Sequence, residues 1–175
     1  TAVVPGGPAG ILLPKADGPA DVARLSHWLD VLEVREGIPP NCIAVMPVAT
    51  ETARAPLNLH LYPDARLPRL FGLTWGAEDL SSALGAASNK AEDGRLDLTY
   101  RTVRSLTLMA AKACGVEAVD TVYPDFRDLD GLRADSLASR REGFSGRFAI
   151  HPDQVAVINA AFSPTVEEVE WSGRV

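Results

Sequence analysis

The sequence predicts an α/β fold built on a parallel sheet, and of the two common forms of that architecture it favours the (β/α)8 barrel. Three observations carry this. Five short apolar runs alternate with stretches of helical spacing, the pattern of strands buried on both faces. Polar residues able to do chemistry sit just after those runs, where ligands bind in both parallel α/β forms. Neither GxGxxG nor GxxxxGK[ST] follows any run, so the usual cofactors of a doubly wound sheet have no cradle.

The elements follow in order. The first run, Ala9 to Leu13 (AGILL), ends at Pro14. Gly18 and Pro19 then open a helical pattern from Ala20 to Arg35 that aligns Val22, Leu25, Leu29 and Leu32. A second run, Cys42 to Val48 (CIAVMPV), precedes TETARAPLNL, which turns polar and then helical. The third, Arg69 to Trp75 (RLFGLTW), leads into a helix within GAEDLSSALG. After the polar insertion SNKAEDGRLD, the spacing of Val103, Leu106, Leu108, Met109 and Ala113 predicts a long helix from Leu98 to Cys114, closed by Gly115. The fourth run, Glu117 to Val122 (EAVDTV), precedes a helix around Leu129 to Arg141. The fifth, Arg147 to Ile150 (RFAI), passes through His151 and Pro152 into a helix from Asp153 to Ala161.

Composition narrows the function classes. A hydrophobic content of 46% is enough for a packed core, which argues against disorder. A net charge of −6 and a pI near 5.0 leave no basic face for a phosphate backbone, so nucleic acid is not an expected partner. No apolar run approaches the ~20 residues of a membrane span. TAVVPGGPAG lacks the regions of a signal peptide, and the expected location is the cytoplasm. Cys42 and Cys114 follow no metal spacing and are expected to be buried free thiols. The three histidines form no HxH or HExxH pair, so zinc is not expected.

The residues after the runs are Lys15, Glu51, Asp79, Tyr123 to Asp125 and His151. Glu51 and Asp79 follow successive strands, so a parallel sheet brings their carboxylates to neighbouring places on one rim. Two convergent carboxylates suit Mg2+, which takes hard oxygen ligands and completes its octahedron with substrate oxygens and water. Glu78 competes with Asp79 for this role, because the first turn of a helix favours acids for its dipole alone. Lys15 reads as an anion binder, a Schiff-base lysine or a plain surface charge. His151 reads as a general base or as a helix cap, and Arg54 as a neutralising charge or an exposed one. Gly143 and Gly146 mark a tight turn feeding a strand.

Together TETARAPLNL, LTWGAEDLSSALGA, RSLTLMAAKACGVEAVDTVYPDFRD and GFSGRFAIHPDQVAVINAAFSP resemble the citrate lyase β-subunit-like branch of the HpcH/HpaI aldolase family. Four blocks in the right order are more specific than any one of them. The resemblance implies the fold of the phosphoenolpyruvate-binding TIM barrels. It implies carbon–carbon bond cleavage in a 3-hydroxy-acyl-CoA of the citryl, malyl or citramalyl type, with coenzyme A as part of the substrate. Retro-Claisen cleavage would leave an enolate on the thioester fragment and release a keto acid. Glu51 and Asp79 would be the Mg2+ ligands, and the turn formed by Gly76, Ala77 and Glu78 would help to hold the substrate carboxylate through its backbone. No catalytic acid or base is assigned, and no Schiff base is needed.

Against that family the sequence starts at the fourth barrel strand. Residues 1–175 are then a single, partial TIM-barrel domain with about five of eight βα units. The arginine expected after the third strand, and a C-terminal lid that gives an acid to a neighbouring subunit, are not among them. A homo-oligomer, trimer or hexamer, is the implied assembly. A CoA-independent pyruvate-type aldolase and a non-catalytic subunit are the competing readings.

Overall fold

In the computed structural model, which describes residues 2–173, four parallel strands follow one another in chain order. They are β1 (Gly10–Leu13), β2 (Ala44–Pro47), β3 (Gly72–Thr74) and β4 (Glu117–Asp120). β1 pairs with β2 from Gly10↔Ala44 to Leu13↔Pro47, and β3 with β4 from Gly72↔Glu117 to Thr74↔Val119. Parallel bridges at Val45↔Leu70 and Val48↔Thr74 join the two pairs. The order has no reversal, whereas a doubly wound sheet reverses at its switch point.

Burial on both faces holds for β3, whose three residues are all buried. It fails for β1, which alternates exposed and half-buried residues and leaves Leu12 46% exposed. Among the described residues β1 has a sheet neighbour on one side only.

Helix α1 (Pro19–Glu36) begins with proline in its first turn and ends at Gly37, whose φ of 69° is the left-handed cap geometry glycine adopts without penalty. Its inner face carries Val22, Ser26, Leu29 and Glu33. Glu33 is buried because it is saturated. The Arg69 Nη1 donates to its Oε1 at 2.6 Å and Nη2 to its Oε2 at 2.5 Å, while the N–H groups of Ile43 and Asn41 each donate at 2.9 Å. These donors, Arg69 first, lower the Glu33 carboxyl to about 2.

The other helices are α2 (Ala77–Ala83), α3 (Leu98–Ala113), α4 (Leu129–Glu142), α5 (Pro152–Phe162) and α6 (Val166–Ser172). Trp75, Ala77, Leu80, Tyr100 and Val103 form a buried cluster that fixes α2 against α3. The chain divides into two compact units, one up to Thr121 and one from Val122 onward. Among the described residues no helix is long and apolar enough to cross a membrane.

Two expectations, the fifth strand and the buried cysteines, are corrected, and two details are added. The segment after β2 is a 3-10 helix, Ala55–Leu61, with Pro56 in its first turn and i→i+3 bonds such as Leu57 N–H to the Arg54 carbonyl at 3.0 Å. The fifth strand, β5, is only Gly146–Arg147. Ile150 instead donates its N–H to Gln154 Oε1 at 2.9 Å and belongs to the start of α5. Cys42 is exposed because it lies in the turn before β2, and Cys114, the residue that ends α3, is half-buried. Finally, α6 was not expected, although Thr165 and Glu168 form a complete capping box ahead of it.

Candidate functional site

Lys15, Glu51 and Asp79 follow β1, β2 and β3, and the parallel order of those strands brings all three together. Lys15 lies two residues beyond β1 with φ of 53°, in the left-handed region that side chains other than glycine rarely occupy. Its backbone N–H donates to Glu51 Oε2 at 2.6 Å and its Nζ donates to Asp79 Oδ1 at 2.7 Å. Asp79 stands in the first turn of α2.

The two carboxylates are close enough to act on each other. Burial raises the Glu51 carboxyl; the neighbouring Asp79 charge adds to this, and the Lys15 N–H opposes it. The Asp79 carboxyl is held below its ordinary value, first by the hydrogen bond from the Lys15 ammonium. The same contact raises Lys15. The Lys15 ammonium is thus engaged by Asp79 in this structure.

Gly76 makes room for the pair. A Cβ there would lie 3.0 Å from Glu51 Cγ and 3.4 Å from Oε1. Its N–H donates to the buried Thr50 Oγ1 at 3.1 Å, which ties the turn after β3 to the turn after β2. Below it, the buried Trp75 Nε1 donates to Asp120 Oδ1 at 2.6 Å, and Arg104 Nη2 donates to Asp120 Oδ2 at 2.8 Å. Trp75 is thereby tied to the end of β4, while Lys15 and Asp79 are exposed.

The adjacent acids take different partners. Asn89 Nδ2 donates to Glu78 Oε1 at 2.8 Å, which turns Glu78 toward the polar insertion, while Asp79 meets Lys15. Ala77 is buried, and the first turn of α2 has no side-chain cap.

The donor set fits a divalent cation. Two carboxylates converge beside a glycine that keeps the space clear, and a positive group, the Lys15 ammonium, already sits on one of them. Among the described residues no group of three or more His, Cys, Asp or Glu could hold a metal ion. A magnesium-type site takes one or two carboxylates and fills the remainder from substrate and water.

Other predicted residues have local roles. Arg54 is exposed at the head of the 3-10 helix. His151 lies in the second unit, where its Nδ1 accepts the Asp153 N–H at 3.2 Å and its ring stacks on Phe126 at 4.6 Å, so it caps α5. The Tyr123 hydroxyl donates to Asp128 Oδ2 at 2.7 Å. Sequence reasoning missed Thr50 and Asp17. The Thr52 hydroxyl donates to the Asp17 carboxylate, and Asn58 Nδ2 donates to the Asp17 carbonyl at 2.8 Å, bracing the loop that carries Lys15. No spacing marks these residues, because the loops that join them are distant in sequence.

Residues 1–152 match the family model described as HpcH/HpaI aldolase/citrate lyase. The mitochondrial citramalyl-CoA lyase of Mus musculus is 34% identical over 174 residues, covering 94% of this chain and 49% of the relative. A (3S)-malyl-CoA thioesterase of Cereibacter sphaeroides is 36% identical over 164 residues, covering 94% and 51%. Among solved structures, the protein CitE from Mycobacterium tuberculosis in complex with magnesium, acetoacetate and coenzyme A aligns with a TM-score of 0.73 at 32% identity, over 95% of this chain and 55% of that one. The chain thus spans about half the length of the curated relatives it matches.

Proposed function

Because the chain belongs to the HpcH/HpaI aldolase/citrate lyase family, we propose that it carries the metal-binding part of a carbon–carbon lyase for 3-hydroxy-acyl-CoA thioesters, with Glu51 and Asp79 as Mg2+ ligands. The observation that supports this is the convergence of those two carboxylates, from successive strand ends, on one residue, with Glu51 on the Lys15 backbone N–H and Asp79 on its ammonium. The magnesium, acetoacetate and coenzyme A found with the Mycobacterium tuberculosis relative point to the same chemistry.

When bound, Mg2+ supplies Lewis acidity at the hydroxyl oxygen that becomes the keto-acid carbonyl, and a template for the neighbouring carboxylate. The chain's own residues prepare that place. The Lys15 N–H fixes one oxygen of Glu51 and leaves Oε1 directed toward Gly76. The missing side chain of Gly76 keeps the space beside Glu51 open. The backbone of Gly76, Ala77 and Glu78 is the proposed seat of the substrate carboxylate, with Thr50 already bound to the Gly76 N–H. The reading of residues 1–175 as one partial TIM barrel, and assembly as a homo-oligomer, belong with this proposal. The unreversed order of β1 to β4 supports the barrel.

The test is calorimetric titration of Mg2+ with oxaloacetate into the wild-type protein and Asp79→Ala. Binding is expected in the wild type and its loss in the variant; equal binding by both would sink the assignment. The thioesterase relative favours thioester hydrolysis as a second reading. Products separate the two: lysis of malyl-CoA yields acetyl-CoA and a two-carbon aldehyde acid, whereas hydrolysis yields free coenzyme A and malate.

A further inference from the structure

We infer that the Lys15 ammonium is the built-in counter-ion of the two-carboxylate site, holding Asp79 in the metal-free protein and giving way when a divalent cation binds. The inference rests on the reading of Glu51 and Asp79 as metal ligands.

The geometry divides Lys15 into two parts. Its left-handed backbone, with φ of 53°, points the main-chain N–H at Glu51 while the side chain runs to Asp79. A residue other than glycine in this conformation carries strain that its surroundings must hold, and here both donors of the strained residue end on carboxylates. Asp17, braced by Thr52 and Asn58, fixes the loop just beyond it.

Charge supplies the rest. Two carboxylates brought together repel each other, and one ammonium beside them relieves part of that repulsion. A divalent cation brings twice the charge and bonds oxygen directly. It competes with the ammonium for Asp79 Oδ1 and repels it at short range. The ion pair lies against solvent: the Lys15 side chain is 62% exposed and that of Asp79 48% exposed, so once Asp79 is taken by the metal the flexible stem can swing into solvent. The backbone N–H has no such freedom and keeps Glu51 aimed. Metal binding thus exchanges one cation for another on Asp79 while the Glu51 hydrogen bond persists.

Two measurements on the full-length protein test this. In calorimetric titration with Mg2+ alone, Lys15→Met, which keeps the stem and removes the charge, is expected to bind roughly five- to tenfold more tightly than wild type. In amine-reactive labelling read by mass spectrometry, Mg2+ is expected to raise modification of Lys15 relative to the exposed Lys90 and Lys112. Unchanged or weaker Mg2+ affinity in Lys15→Met, or an unchanged labelling ratio, overturns the counter-ion role. If wild type still binds Mg2+ and Asp79→Ala does not, the metal site survives that outcome. If neither wild type nor Lys15→Met binds Mg2+, the metal site and the counter-ion role fall together.

Discussion

Gly76 shows how one missing side chain defines the site. Glu51 occupies the space a Cβ would need, with its Cγ 3.0 Å away. Gly76→Ala is therefore expected to push Glu51 off its Lys15 hydrogen bond and weaken Mg2+ binding, with little loss of fold stability, as checked by metal titration beside a thermal melt. Glu51 and Asp79 were legible in the sequence because each follows an apolar run, and successive parallel strands put their ends side by side. The different surroundings of Glu78 and Asp79 were not legible from spacing, and only the family resemblance separated the two acids. The setting of Glu78 depends on Asn89, eleven positions on, which reaches back through a folded insertion that no periodicity describes. Lys15 was legible as a position but not as a role, since its partner Asp79 is 64 residues away.

At the scale of elements, α2 has only seven residues, too few to be stable on propensity alone. It persists because Leu80 and Ala77 pack with Trp75, Tyr100 and Val103. Leu80→Ala should cost about 2–5 kcal/mol in denaturant unfolding and should also loosen Asp79, one residue before it. Helix α6 is the contrast: it buries none of its residues, and its supports are its capping box and the Arg140–Glu168 ion pair at 2.6 Å. Thr165→Ala is expected to remove about 1 kcal/mol from that helix, seen as faster amide exchange between Val166 and Ser172 and little change elsewhere. Helices α1 and α3 were legible from caps and spacing. The fifth run was misread because RFAI is apolar without being buried: Ala149 and Ile150 are exposed, and the Ile150 N–H goes to Gln154 rather than to a strand.

At the scale of the whole molecule, the buried Glu33–Arg69 pair ties α1 to the chain entering β3. Removing Glu33 strips the buried Arg69 guanidinium of its two-point partner and leaves it only the exposed Asp30 carboxylate as counter-charge, so Glu33→Ala should destabilise by about 3–5 kcal/mol. The pH dependence follows from the lowered carboxyl, about 2 in the fold against an ordinary 4.5. The unfolded chain takes up this proton first on acidification. The pair's contribution is therefore complete above about 4.5 and is lost as pH falls from there toward 2. Wild type should lose stability across that window in acid titration, and Glu33→Gln should show a flatter profile. The alternation of apolar runs with helical spacing determined the α/β class, and strand-end acids determined where to look for a site, because both are periodic properties of nearby residues. Only the tertiary structure decided that Glu78 turns to Asn89, that the Lys15 ammonium meets Asp79, and that β1 is half exposed. Those outcomes depend on contacts between residues far apart in the chain, which local sequence does not encode.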